Sequence, residues 1–277
     1  MKLTILSDNN TLIDWYFLSE PGFSAFVEDG DTRILFDTGY SGIFVENAQK
    51  MRLALDRVNY VAISHGHLDH TWGFEALIKL YTEMDIAGMP HQRPAVIAHP
   101  KTFVSIGDKD LSEIGSLLSE SKLRRHFDLR LSEEPQWLTD RIVYLGQIPR
   151  TSDFEGKATF GRKEGDSKDD AVVEDSALAF KGKDGLVILT GCSHAGICNI
   201  VEYAKRVTGV ERVFDIVGGF HLQKPSADQM RGTLDYFSHL DLARMHPCHC
   251  TDLKSKIALA SVANVEEAGV GLALEFE

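Results

Sequence analysis

Residues 64–73 read Ser-His-Gly-His-Leu-Asp-His-Thr-Trp-Gly and bring His65, His67, Asp69 and His70 close together. Imidazole nitrogens and a carboxylate in one short block suit zinc, iron or manganese. The block follows Tyr60-Val-Ala-Ile-Ser64, an apolar, β-rich run that reads as a buried strand. A strand that ends in a sharp turn can aim several ligands at one point. His65 and His67 alternate onto one side, while Asp69 and His70 can diverge to a second point. The pattern predicts metal chemistry rather than a histidine-rich surface turn.

Three further strand ends carry histidine: His194 in Cys192-Ser-His194 after Leu-Val-Ile-Leu-Thr, His221 after Ile-Val-Gly-Gly-Phe, and His249 soon after Leu-Ala-Arg-Met. Strand ends of one sheet share an edge, so four such ends can build one site. His194 and His249 are candidate ligands. His221 is a candidate ligand or a substrate contact, since Gly218-Gly219 before it lets a ligand approach the backbone. Cys192 is a candidate ligand, with a buried apolar role as its alternative. Cys248 and Cys250 flank His249 without the Cys-x-x-Cys spacing of a zinc ribbon and read as packing residues, as does Cys198 in a helix. His91, His99, His126, His239 and His246 read as surface or structural. Asp37, in Phe36-Asp-Thr-Gly39, has no second Asp-Thr-Gly to share a proton with, as aspartic-protease chemistry requires. It reads instead as an acceptor that orients a metal-holding histidine. Arg150, Arg162 and Lys163 could meet an anion, but a solvated surface is the reading preferred for them.

The elements that must position these residues follow from periodicity. Lys2–Leu6, Ser24–Glu28 and Arg33–Phe36 read as strands, the last two joined at Asp29-Gly-Asp31. Ile43–Leu55 has mixed helical character. Phe74, Leu77, Ile78 and Tyr81 mark an amphipathic helix after the metal motif. Ala95–Ala98, Leu186–Thr190, Val213–Val217, Leu242–Met245 and Val270–Phe276 read as strands. Helices carry Ile197, Ile200, Val201 and Ala204, then Met230, Leu234 and Phe237 inward, and another lies near Leu253–Ala263. Strands followed by helices imply packed sheets with helices outside. The expectation is a single domain over 1–277, built as two similar halves of about 1–150 and 175–277. Between them, Gly156–Glu174 reads as an exposed loop.

Composition narrows the partners. The 277 residues are 43% hydrophobic, enough for a large core. A net charge of −12 argues against a broad nucleic-acid surface, which needs Lys/Arg stripes. A small anionic substrate in a local pocket remains compatible with it. Four cysteines do not make a disulfide scaffold. No apolar run reaches the ~20 residues that span a bilayer, and the short, soon-polar start does not read as a signal peptide. A cytoplasmic protein with no membrane partner is expected.

The His-x-His-x-Asp-His block after a strand resembles the signature of the metallo-β-lactamase superfamily. Glu20-Pro-Gly-Phe-Ser24, Ile34-Leu-Phe-Asp-Thr-Gly39, Thr190-Gly-Cys-Ser-His-Ala-Gly-Ile197, Gly218-Gly-Phe-His-Leu222 and Pro247-Cys-His-Cys-Thr251 extend the likeness along most of the chain. They resemble most the branch of the archaeal dihydropterin synthase that helps build the tetrahydromethanopterin side chain. The resemblance implies an α/β (α+β) fold, a four-layered αββα sandwich with its metal site at one edge. It implies two divalent ions, zinc with iron or manganese as alternatives. His65, His67 and His194 would hold one, and Asp69, His70 and His249 the other. Cys192, standing where many members have a bridging Asp, would lie near the second or between the two. Asp69 and His221 are the candidate catalytic residues. A water between such ions has its pKa lowered from 15.7 towards about 7 and becomes a nucleophile towards an ester, lactone or phosphoester. The synthase branch implies instead displacement of diphosphate from a pterin methylene by an aminobenzene ribofuranosyl phosphate. A metal-holding sensor or redox partner is the non-enzymatic alternative. Trp72 and Asp252 stand where the branch usually has Gly, and a bulky ring and an added carboxylate there are expected to narrow the pocket and repel a diphosphate.

Overall fold

The computed structural model describes residues 1–277. Strands β1 (Lys2–Ser7), β2 (Ser24–Asp29), β3 (Thr32–Phe36), β4 (Tyr60–Ala62), β5 (Ala95–Ala98), β6 (Ile106–Gly107) and β7 (Asp128–Leu131) come first. They are followed by β8 (Gln136–Trp137), β9 (Ile142–Tyr144), β10 (Arg162–Lys163), β11 (Ala177–Gly182), β12 (Gly185–Thr190), β13 (Val213–Gly219), β14 (Leu242–Cys248) and β15 (Ala273–Glu275). Helices are α1 (Ile43–Lys50), α2 (Leu68–Thr71), α3 (Phe74–Ile86), α4 (Glu120–Leu123), α5 (Ile197–Thr208), α6 (Ala227–His239) and α7 (Leu253–Leu259). One sheet runs β15-β1-β2-β3-β4-β5-β7 and the other β14-β13-β12-β11-β9-β8, while β6 and β10 pair apart.

Side-chain alternation shows why four layers form. Successive residues of a strand face opposite sides, and here both sides of the central strands are apolar. Ala25 and Val27 of β2 and Ile34 and Phe36 of β3 face one cluster; Phe26 and Leu35 between them face another. Leu178 and Phe180 of β11 and Val187 and Leu189 of β12 meet the same first cluster from the other sheet. Ala179, Leu186 and Ile188 point away, towards Ile197, Ile200, Val201 and Ala204 of α5. Three apolar clusters therefore fill three gaps: sheet against sheet, the first sheet against α1 and α3, and the second against α5 and α6. This is the expected αββα sandwich.

The parallel strands set the position of the site. β3, β4, β5 and β7 run parallel in the first sheet, and β12, β13 and β14 in the second. Ligands of open α/β sheets gather beyond the carboxyl ends of such strands. Those ends are followed by Asp37, by the Ser64–Gly73 block, and by the segments bearing Cys192, His221 and His249.

The sheets do not divide at residue 150. β8 and β9 already belong to the second sheet, and β15 crosses back to pair antiparallel with β1. That pairing covers what would otherwise be an open strand edge. The strand expected over Val270–Phe276 is confined to β15. Ile43–Leu55 contains α1 only to Lys50, and the last helix ends at Leu259.

The Gly156–Glu174 loop is mostly exposed, yet Lys163 is only 3% exposed and does not join the solvated surface expected of it. Its ammonium donates to both Glu174 carboxylate oxygens at 2.8 Å and to the Asp170 carboxylate. Arg150 is not free for an anion either. Its guanidinium donates to the Gly156 and Val172 carbonyls, each at 2.8 Å, and so ties the two ends of the loop together. Removing one partner of a buried ion cluster leaves uncompensated charge. Lys163→Met is therefore expected to lower unfolding free energy by about 3–5 kcal/mol in urea titrations. Adding Asp170→Asn and Glu174→Gln should restore most of that loss. Equal midpoints for the wild type and Lys163→Met would mean that the cluster contributes nothing.

Candidate metal centre

Asp37 organises the first side of the site. It follows β3 in a left-handed backbone conformation, φ 56°, with its side chain fully buried. Its Oδ1 accepts from the Ser64 amide at 2.7 Å, and Oδ2 from the Ser64 hydroxyl and His70 Nδ1, both at 2.7 Å. The tautomers follow. The hydroxyl spends its one proton on Asp37, so it must accept from His65 Nδ1 at 2.9 Å. The Nε2 atoms of His65 and His70 are left as lone pairs. A glycine at 191 is required here, because a Cβ there would lie 2.2 Å from the Ser64 hydroxyl.

Those lone pairs face other groups able to ligate a metal. His65 Nε2 lies 3.1 Å from His67 Nδ1, and His70 Nε2 lies 3.2 Å from His249 Nε2 and 3.3 Å from the Cys192 sulfur. His67 Nε2 and both ring nitrogens of His194 are buried with no partner at all. Orphaned buried donors and acceptors are costly, and their convergence suits a divalent cation. The donor chemistry fits that group. His65, His67 and His194 form one set whose ligand atoms lie within 4.8 Å of one another; Asp69, His70 and His249 form a second. Cys192 joins His65 and His70 between them.

The second sheet presents its candidate ligands on strained turns. Ser193, His221 and His249 have φ of 63°, 50° and 50°. For residues other than glycine such values cost about 1–3 kcal/mol and cluster at functional sites. The Ser193 hydroxyl donates to the Gly219 carbonyl at 2.6 Å, joining two of these loops. The His249 amide donates to Asp8 at 2.8 Å, and its Nδ1 lies 3.1 Å from Asn9 Oδ1. His221 stands beside His194, with ring centroids 4.3 Å apart.

The structure thus brings His65, His67, Asp69, His70, Cys192, His194, His221 and His249 together. It does not leave Cys250 among packing residues. Cys250 joins Cys192 and His221 in a further group of converging donors, and it lines a cavity of about 430 Å³ with Asn9, Gln223, His249 and Lys256. Cys248 and Cys198 do lie in apolar clusters. Asp8 and Asn9, directly after β1, escaped the sequence reading, although a polar run at a strand end was the available sign. Phe160 escaped it too. This aromatic residue of a polar loop packs edge-on against His194 and His221, at 4.8 and 5.1 Å between centroids.

Trp72 and Asp252 also serve the scaffold, and Asp252 lines the cavity beside His249. Trp72 donates its indole N–H to the Gly115 carbonyl at 2.8 Å and stacks on Tyr40. Asp252 caps α7 by accepting from the Ser255 amide, and it accepts from the Lys224 amide as well, each at 2.8 Å. Those backbone donors hold its carboxyl below the ordinary range, so it stays ionised at the cavity.

Burial, reinforced by neighbouring imidazoles, holds His65 and His194 well below the usual histidine range. Burial also lowers His67 to about 4, against the pull of Asp69. Neutral imidazole is the metal-binding form. Burial opposes charge on Asp69, but His70 and His249 outweigh it and hold the carboxyl below its ordinary range.

A sequence profile described as the metallo-beta-lactamase superfamily matches residues 19–205. A Methanocaldococcus jannaschii protein described as uncharacterized protein MJ0448 is 32% identical over 271 residues, 97% of this chain and 98% of its own. The 7,8-dihydropterin-6-methyl-4-(beta-D-ribofuranosyl)-aminobenzene-5'-phosphate synthase of the same organism is 27% identical over 267 residues, covering 92% of this chain and 89% of its own. Among solved structures, Tm1679, a metal-dependent hydrolase of the beta-lactamase superfamily, superposes with a TM-score of 0.79 at 27% identity. The match covers 99% of this chain and 98% of that one.

His249 gives a pH signature. Burial lowers its pKa, but the Asp69 hydrogen bond and nearby negative groups outweigh that and raise it from 6.5 to about 9. A raised pKa adds stability that is complete below the unfolded value and lost as pH rises through the folded one. Metal-free protein should therefore lose up to about 3 kcal/mol from this group between pH 6.5 and 9. Thermal melts at stepped pH should show the loss in the wild type and not in His249→Gln. The same slope in both would assign it to other groups.

Proposed function

The chain belongs to the metallo-beta-lactamase superfamily, and from that premise we propose that it is a metal-dependent hydrolase of a small anionic ester, lactone or phosphoester. One observation carries the reading: unpartnered histidine nitrogens converge in a set that adjoins a second, partly open one. His67 and His194 hold the orphaned nitrogens, while the Asp69 side chain is 27% exposed. An open coordination position is the mark of catalysis, whereas a closed one suits a structural or sensing role. His65, His67 and His194 would hold one zinc ion and Asp69, His70 and His249 a second, with Cys192 between or beside them. Bound ions of this kind activate water and stabilise charge on a leaving group.

The protein's own groups supply orientation and access. Asp37 fixes His70 and, through Ser64, His65. Asn9 and Asp8 hold the His249 loop. Asp69 offers an ionised carboxylate at the open face. His221 would contact the substrate, and Phe160 would exclude water from the side of the loop. Lys256, lining the cavity beside His249, would attract an anionic group.

A second reading is pterin transfer with loss of diphosphate. The 27% identity to the Methanocaldococcus synthase favours it. The engagement of the Trp72 indole with Gly115 removes one objection to it, while the Asp252 carboxylate still lines the cavity beside His249. Turnover in oxygen-18 water separates the two. Hydrolysis of a phosphoester by attack at phosphorus places label in the released phosphate. Displacement at the pterin methylene breaks a C–O bond and leaves the diphosphate unlabelled, an outcome that would replace the hydrolase reading.

Asp37→Asn tests the orienting role. An amide cannot accept from both Ser64 and His70 as the carboxylate does. Zinc affinity, measured by competition with a chelating dye, is expected to fall about 10–100-fold. Unchanged affinity would show that Asp37 serves folding alone.

A further inference from the structure

Cys250 has no part in the hydrolytic reading, yet three strand-end loops converge on its sulfur. The Cys192 sulfur, a His221 ring nitrogen and the Cys250 sulfur lie within 4.8 Å of one another. The His221 amide donates to the Cys250 sulfur at 3.2 Å, and that sulfur lies 3.4 Å from the Cys192 carbonyl. The Phe220 amide donates to the Thr251 hydroxyl at 3.0 Å, lacing the loops after β13 and β14 together. Gly219 leaves room for the arrangement. A Cβ there would lie 2.6 Å from the Cys250 sulfur and 2.4 Å from the Gly191 carbonyl. His221 is held in the left-handed region, φ 50°, and its Nδ1 is buried without a partner.

Two sulfurs and one imidazole make a softer donor set than the histidine and histidine–aspartate sets beside it. Thiolates favour zinc and its softer relatives over manganese or magnesium. Of the four cysteines, Cys198 and Cys248 lie in apolar clusters, and the other two face each other across this point. The cavity of about 430 Å³ that Cys250 lines gives access from solvent.

We propose that Cys192, His221 and Cys250 form a third, thiolate-rich site that takes a soft divalent cation, zinc or cadmium, next to the two sets of the candidate metal centre. Binding deprotonates both thiols: one M²⁺ enters, two S–H protons leave to solvent, and no electron is transferred. The fourth position is left to solvent or an anion. His221 cannot serve a substrate and this ion at once, and Cys192 would be drawn from its place between or beside the two zinc ions or shared with them, so filling the site competes with both roles proposed above. The site does not depend on which reaction the protein catalyses.

Cadmium is the probe, because its thiolate complexes absorb in the ultraviolet by charge transfer from sulfur. Reduced, chelator-treated full-length protein is titrated with cadmium, and bound metal is counted after equilibrium dialysis. The wild type should bind a third equivalent beyond the two of the histidine and histidine–aspartate sets. Cys250→Ser should lose that equivalent and about half of the charge-transfer absorbance, since one of two thiolates is removed. His221→Gln, which leaves both thiols in place, should weaken the same equivalent and guards against a Cys250→Ser protein that fails to fold. Two equivalents in the wild type, or equal absorbance in the wild type and a folded Cys250→Ser, would overturn the site and leave the hydrolase reading standing. A third equivalent in a protein whose phosphate product carries no oxygen-18 would keep the site and remove the hydrolase.

Discussion

The buried carboxylate of Asp37 is the constraint around which the centre is assembled. A charge taken fully out of water is costly unless donors surround it. Here the Ser64 amide, the Ser64 hydroxyl and His70 Nδ1 do so. Each donor is itself part of the metal block, so satisfying the charge also fixes two imidazoles in rotation and tautomer. The dependence reaches the second sheet as well. Only a residue without a side chain at 191 lets β12 end against the Ser64 hydroxyl, and Cys192 and His194 follow directly from that glycine. One carboxylate thereby aligns loops from both sheets.

The sandwich makes such an assembly stable enough to carry strain. Three separate apolar clusters hold the layers, and the residues next to the site, such as Val217 and Cys248, end in the central one. Left-handed backbone at Asp37, Ser193, His221 and His249 costs free energy locally. All four residues lie in turns beyond strands whose other end is fixed in the core, where the fold can impose the conformation. The same logic places Phe160. Its loop is polar and mostly exposed, with Val172 its one fully buried apolar side chain, so polar ties carry most of the anchoring. Lys163 with Asp170 and Glu174, and Arg150 on the loop carbonyls, supply those ties.

Much of this was legible in the sequence because it rests on local pattern. The strand before His65 and the helix after it, with Phe74, Leu77 and Tyr81 buried, follow from periodicity. So does the convergence of His194 and His249, since each follows a β-rich run. Asp37 could be read as an orienting acceptor because its neighbours excluded protease chemistry. The remainder depended on which way a loop faces. Lys163 looked solvated because its partners, Asp170 and Glu174, sit among many acidic residues of the same loop. Cys250 looked like packing because spacing along the chain says nothing of Cys192, which faces it from another strand. The crossing of β15 to the first sheet is a choice of edge, and the alternation within Ala273–Glu275 carries no sign of it.

The way Trp72 and Asp252 are used bears on where specificity resides. They sit two and three residues from candidate ligands, and adjacency along the chain suggested that they shape the pocket. Their polar groups serve the scaffold, one fastening the Gly115 loop and the other starting α7, though Asp252 also lines the cavity beside His249. Close to the metal block, then, the side chains are committed to orientation, and few are free to read a substrate. The groups that remain uncommitted face outward: Lys256 and Gln223 in the cavity beside His249, and Phe160 across His194 and His221. Changing these alone would leave every candidate ligand in place. This explains in physical terms why a ligand pattern identifies the superfamily so readily and leaves hydrolysis and diphosphate displacement to be distinguished by the fate of the C–O bond.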